Sequence, residues 1–144
     1  AGRDMRKEYL AVVAGRFPWA QKAIDAPIGR DRHDAKKMRV CKEGQGKPAS
    51  TLVRKLAFKG GRTLLSVELL SGRRHQIRAH LASLGFPIVG DELYGGARAD
   101  AARGESGLLL HAFREELRHP ATDEPLSLQT EWPERLGKNW DPVA

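Results

Sequence analysis

The chain is short of several things, and each shortage removes a class of protein. It has one cysteine, Cys41, in 144 residues, so an internal disulfide and a cysteine-rich zinc site are both excluded. No apolar run approaches the roughly 18 residues that would span a bilayer, and the basic start from Ala1 to Lys7 leads into no signal-peptide core. Aromatic residues make up only 6%, and Leu, Ile, Val and Phe together number 32, which permits one thin core. No serine sits in a G-x-S-x-G elbow, and no G-x-G-x-x-G follows a strand. Gly46-Lys47 runs into Pro48 where a phosphate loop needs Ser or Thr. His75 and His80 are five apart, not the four that places a metal-binding pair on one helix face, so no metal is expected. A reduced, cytoplasmic protein without a membrane partner fits these absences, and the length suits one domain over residues 1–144.

What the chain has in excess is positive charge, concentrated in one block. The net charge is +7, yet residues 30–78 alone carry fourteen Lys/Arg against four Asp/Glu. The residues after that block are net acidic. A contiguous basic block is the electrostatic footprint of a nucleic-acid binder, because cations on phosphates release condensed counterions; it is equally a solvated surface with no partner.

Lys7 to Ala14 reads as a buried strand ending at Gly15, and Phe17-Pro18-Trp19 interrupts the pattern. Ile24 to Ile28 predicts a short edge strand, Gly29 to Lys37 a loop and Met38 to Lys42 a further short strand. Gly44 to Pro48 reads as a connector. Ala49–Phe58 and Arg62–Leu70 flank Lys59-Gly60-Gly61 and predict a hairpin. From Arg74 to Leu84 the period changes: Ile77, Leu81 and Leu84 fall on one helical face, with Gly85 as the C-terminal stop. Phe86–Val89, Leu108–Phe113 and Leu126–Thr130 predict strands, Gly90–Gly107 a surface excursion, and Trp132–Leu136 a helical turn. The order implies an α+β fold with a mixed, largely antiparallel sheet and few helices.

The chemistry concentrates in Ser71–His80, SGRRHQIRAH. Arg73, Arg74 and Arg78 offer forked donors suited to phosphate or carboxylate, with His75 between them. Gln76 has two readings, a base-edge contact or a tie to the backbone. Arg78 lies beside the apolar stripe, and a half-buried arginine needs an anion: a structural salt bridge within the domain, or a functional partner. Tyr9, inside the first strand, is either core or a stacking platform with a phenol at its tip.

SGRRHQIRAHLASLGFPIVGDELYG, residues 71–95, closely resembles the signature segment of the RluA family of RNA pseudouridine synthases. In register with it, KEYLAVV followed by Gly15 resembles the family's K-x-Y-x-A-x-V-x-G strand. Pro27-Ile28, Gly46–Thr51, Leu110–Ala112 and His119-Pro120 resemble its P-I, G-K-x-A-x-T, L-H-A and H-P elements. The resemblance implies isomerisation of uridine to pseudouridine in structured RNA, ribosomal or transfer, with the target base flipped from the stack and no metal or organic cofactor. It implies that Tyr9 packs against the flipped base, that Arg78 pairs with the catalytic aspartate, and that Leu109 or Leu110 lines the base pocket. Arg73, Arg74, His75 and Gln76 become RNA-binding candidates.

One family element is missing. The catalytic aspartate's H-R-L-D-like motif, expected upstream of the K-x-Y strand, is absent; Asp4 stands in the wrong context, and Asp91 belongs to the signature but is not the family's nucleophile. The expectation is therefore the C-terminal part of a catalytic domain, lacking an N-terminal segment and inactive alone. It follows that Arg78 is left without its partner and that Lys7–Ala14 presents an unpaired sheet edge. A non-catalytic RNA-binding module with the same fold is the alternative, and a protein-interaction role for the acidic C-terminal section, including Asp123-Glu124, is a third reading.

Overall fold

The computed structural model describes residues 6–95, 107–118, 121, 122, 124–137 and 140–142. The elements run β1 (Arg6–Ala14), β2 (Gln21–Asp25), β3 (Ile28–Arg30), β4 (Met38–Val40), β5 (Ser50–Lys59), β6 (Arg62–Leu69), α1 (Gln76–Ser83), β7 (Leu110–Arg118), β8 (Pro125–Gln129), a 3₁₀ turn (Glu134–Leu136) and β9 (Asp141–Pro142). The main sheet has the order β2-β5-β6-β1-β7-β8, with β9 added on β5, while β3 and β4 form a separate two-stranded arm. The described strand pairings are antiparallel, as in a mixed α+β domain built around one sheet.

The sheet is organised on β1. Leu10, Ala11, Val12 and Val13 are all buried, so this strand is covered on both faces. Its expected role as an open edge is overturned. Tyr9 pairs with Val67 of β6 on one side and Ala112 of β7 on the other. Among the described residues the ends of the strand order fall instead on β2 and β8, with β9 beside β5 off that path.

The β5–β6 hairpin is tighter than its sequence suggested. Lys59 pairs with Arg62, leaving Gly60 and Gly61 as a two-residue turn with φ of +58° and +78°. Positive φ at both centres is the type I′ geometry that matches strand twist, and glycine adopts it without a side-chain clash. Thr51, Val53, Leu65, Val67, Tyr9 and Ala11 share one face by register. Helix α1 packs there, bonding Thr51 through Gln76 and His80. Ile77 and Leu81 are buried as their spacing predicted.

Three expected strands shift. The Ile24–Ile28 prediction splits: β2 ends at Asp25, and beyond Pro27 the chain turns into the arm, where Ile28 pairs with Val40. Phe86–Val89 contributes a single bridge, Ile88 to Val13, because Phe86 leaves the sheet to pack edge-on against buried Phe17 at 5.2 Å. β7 starts at Leu110 rather than Leu108: the Leu109 carbonyl still accepts from the Val12 N–H at 3.1 Å, but the Leu109 N–H turns to the Val89 carbonyl, and the Val89 N–H bonds the Val12 carbonyl. The excursion expected over Gly90–Gly107 lies outside the described residues from 96 to 106, as do Asp4, His119-Pro120 and Asp123. Among the described residues no helix is long and apolar enough to cross a membrane, and no three His, Cys, Asp or Glu side chains are grouped to hold a metal ion.

Candidate active site at the start of helix α1

Helix α1 begins abruptly. His75, at its N-cap, takes φ +54°, ψ 22°, a left-handed conformation uncommon outside glycine, and no side chain caps the helix. That kink turns Arg73 and Arg74 outward, both exposed, while the next residue dives into the sheet. At the far end the N–H of Phe86 reaches the Leu81 carbonyl and that of Gly85 the Ala82 carbonyl, a Schellman stop with Gly85 at φ +88°. The chain then reverses and brings Asp91 back beside Arg78.

Gln76 is 2% exposed and fully used. Its amide nitrogen donates to the Ser50 carbonyl (2.8 Å) and to Thr51 Oγ1 (2.9 Å), and its oxygen accepts from the Ser71 hydroxyl (2.9 Å) and the Arg73 N–H (3.0 Å). The backbone-tying reading of Gln76 therefore holds, and its placement among RNA-binding residues is corrected: no edge is left to read a base. His80 is likewise committed. Its Nε2–H donates to the Ala26 carbonyl (2.9 Å), so Nδ1 accepts from the Thr51 hydroxyl (2.8 Å), and burial pushes its pKa down.

Arg78 has the buried anion its position demanded, and that anion is Asp91. Nε donates to Oδ2 at 3.0 Å and Nη2 to Oδ1 at 2.8 Å, a two-pronged pair with the arginine side chain 21% exposed and the aspartate side chain 0%. The expectation that Arg78 stands unpartnered in this chain is corrected. The hydrogen bond to Asp91 raises the arginine pKa against the opposing effect of burial. The carboxylate sits on a crowded turn. Gly90 has φ +82°, and a Cβ there would lie 1.9 Å from the Gly107 carbonyl oxygen.

Asp91 Oδ1 also accepts from the Tyr94 N–H at 3.2 Å. The Tyr94 hydroxyl accepts from the Met38 N–H in the arm (2.9 Å) and meets His75 Nδ1 at 3.1 Å. Two cations face the Tyr94 ring, Arg78 at 5.2 Å and Lys37 at 5.4 Å from its centre. Burial raises the Tyr94 pKa, and burial followed by the charges of Arg78 and Arg74 lowers that of His75. Sequence reasoning left Tyr94 and the pairing role of Asp91 unassigned. The signal was the V-G-D-x-x-Y-G string, which sets an acid and a phenol three residues apart behind a glycine.

Tyr9 shares the sheet face on which α1 packs, with no described hydrogen bond to this cluster. It is half-buried against the core and lines a hollow of about 380 Å³ walled by residues of β1, β7 and residues 128–130, with none from α1. Leu128 on its rim is 61% exposed. Leu110 is half-buried on the Tyr9 face, opposite Ala11. Leu109 is closed in the core and presents no surface to a base, which corrects its inclusion as a pocket residue.

Comparisons with known proteins bear on this arrangement. Residues 1–83 match the family model described as RNA pseudouridylate synthase. The chain is 48% identical over 118 residues to an uncharacterized RNA pseudouridine synthase of Chloroflexus aurantiacus, covering 82% of this chain and 36% of that protein. It is 36% identical over 139 residues to ribosomal large subunit pseudouridine synthase D of Nitrosomonas europaea, covering 93% and 40%. Among solved structures, human RNA pseudouridylate synthase domain containing 1 superposes with a TM-score of 0.76 at 29% identity, over 98% of this chain and 61% of that one. The chain thus spans about two fifths of the length of the curated relatives it matches.

Proposed function

This chain belongs to the RNA pseudouridylate synthase family, and on that premise we propose that it carries the tyrosine-and-arginine portion of an RluA-type catalytic domain acting on uridine in structured RNA. The observation that carries the reading is the Arg78–Asp91 clamp, both of whose partners lie in the 71–95 signature segment. Asp91 uses Nε and Nη2 of the guanidinium, so the fork still has a second donor edge, at Nη1, for another carboxylate. In this reading that carboxylate is the nucleophilic aspartate of the family's H-R-L-D motif, which occurs nowhere in the 144 residues.

Asp91 does not substitute for it. A nucleophile must reach C1′ of the ribose, and Asp91 is closed to solvent with both oxygens engaged. Tyr9, at the hollow on β1, packs its ring on the flipped base, and Leu110 lines the same side. Exposed Arg73 and Arg74, with Arg30, Arg32 and Lys36 of the arm, hold phosphates.

The test uses the chain itself with a structured RNA labelled with tritium at uridine C5. The expected result is binding that weakens steeply with salt and no tritium release. Salt-independent binding overturns the RNA reading, and release overturns the inactivity of the chain alone. The exposed cations of the arm and of Arg73 and Arg74 also fit a second reading, a non-catalytic RNA-binding module. Fusing an H-R-L-D-bearing segment of a relative upstream of Ala1 separates the two: pseudouridine formation supports the synthase portion, and RNA binding without formation supports the module.

A further inference from the structure

We propose that Tyr94 is a positioning residue that couples the β3–β4 arm to Arg78, so that RNA engaged on the arm changes how the arginine is held. The inference rests on the RNA reading above and adds a residue that the reading does not need. Tyr94 is the one described side chain that touches the arm, the start of α1 and the Arg78 guanidinium together: its hydroxyl takes the Met38 N–H and meets His75, and its ring faces Lys37 and Arg78. Its own N–H holds the carboxylate that clamps the arginine.

The arm has little else to fix it to the helix. Its strands are three residues long, and its apolar footing is a small cluster of Ile28, Ala49 and Ala79 with Met38 and Tyr94 packed on it. Its tip carries exposed Arg32, His33 and Lys36. A phosphate drawn to these cations pulls on Lys37 and Met38. The Met38 N–H is bonded to a phenol rather than to the facing strand, so the displacement passes to Tyr94 and from there to Asp91 and Arg78. The link is polar and directional at both ends, which an apolar contact in the same place would not be.

The experiment reads the Nε–Hε NMR signal of Arg78, assigned by its loss in Arg78→Lys, in the 144-residue chain. A uridine-containing stem-loop RNA is titrated in while the backbone signals of residues 32–37 report engagement of the arm. In the wild-type chain both sets are expected to shift. In Tyr94→Phe, which keeps the ring and removes the hydroxyl, the arm signals still shift and the Arg78 signal stays within its line width. An Arg78 signal that moves equally in Tyr94→Phe, or that stays still in the wild type while the arm signals move, overturns the coupling. If the RNA moves neither set, the RNA reading fails and the coupling is decided without RNA. Met38→Pro removes the N–H that Tyr94 accepts. It is expected to shift the Arg78 signal in the wild-type background and not in Tyr94→Phe; equal shifts in both backgrounds, or none in either, overturn the proposal.

Discussion

The main sheet with α1 and the β3–β4 arm are made of different material. The sheet buries a continuous apolar set running from Leu10–Val13 through Val53, Leu65 and Val67 to Ile77 and Leu81. The arm buries Ile28 and is otherwise held by individual polar pins: Ile28 and Lys47 exchange backbone bonds at 2.9 Å, Cys41 N–H meets the Pro27 carbonyl at 2.8 Å, and Met38 meets Tyr94. Exposed cations crowd the arm, and burial crowds the sheet. In the proposed reading stability and ligand attraction therefore rest on different residues, and substitutions test that separation.

The largest effect is expected where the two regions meet. Arg78→Ala leaves the buried Asp91 carboxylate unpaired and should lower unfolding free energy by about 3–5 kcal/mol, with partial recovery in Arg78→Ala/Asp91→Asn, both read from urea midpoints. Gly90→Ala forces a side chain into the left-handed region and into the Gly107 backbone, a loss of about 3 kcal/mol by the same measurement. Gly44→Ala, also at positive φ but with open space around it, should cost only about 1 kcal/mol.

A smaller effect separates the regions by pH. Burial holds the His80 pKa below its unfolded value, so its neutral form contributes stability above roughly pH 6.5 that is lost as pH falls. The urea midpoint should drop between pH 8 and pH 5, and less so in His80→Asn. The smallest stability effects belong to the arm. Arg32→Ala and Lys36→Ala should change unfolding free energy by less than about 0.5 kcal/mol, while each lowers the slope of log RNA affinity against log salt by about 0.9. A large stability loss from either would erase the contrast between the two regions.

Local chemistry was legible, and distant pairing was not. The β5–β6 hairpin could be read because two glycines dictate the turn, and α1 because Ile77, Leu81 and Leu84 repeat at helical spacing. Helix α1 starts two residues later than its spacing predicts, since nothing in a histidine as a residue type announces a left-handed cap. That Arg78 needed an anion followed from its place beside the apolar stripe. That the anion is Asp91 did not, because the two meet only after a Schellman stop reverses the chain. The misreading of β1 as an edge has the same origin: its second partner, β7, lies about a hundred residues away, beyond any periodicity. Gln76 and Leu109 were misassigned because a residue's type records what it can bind, while burial decides what it does.

The central place of β1 also sets an order of events. The β5–β6 turn closes within two residues, but β1 reaches β6 only by closing a loop of about fifty residues, and β7 by closing one about twice as long, each doubling adding roughly 0.6 kcal/mol of closure entropy. Within these residues the strand that comes first in sequence is thus completed last. Its second edge, from Arg6 to Ala11, waits for the residues of β7. Folding of this domain is gated by its most distant contact, and refolding in vitro should be slow for its size.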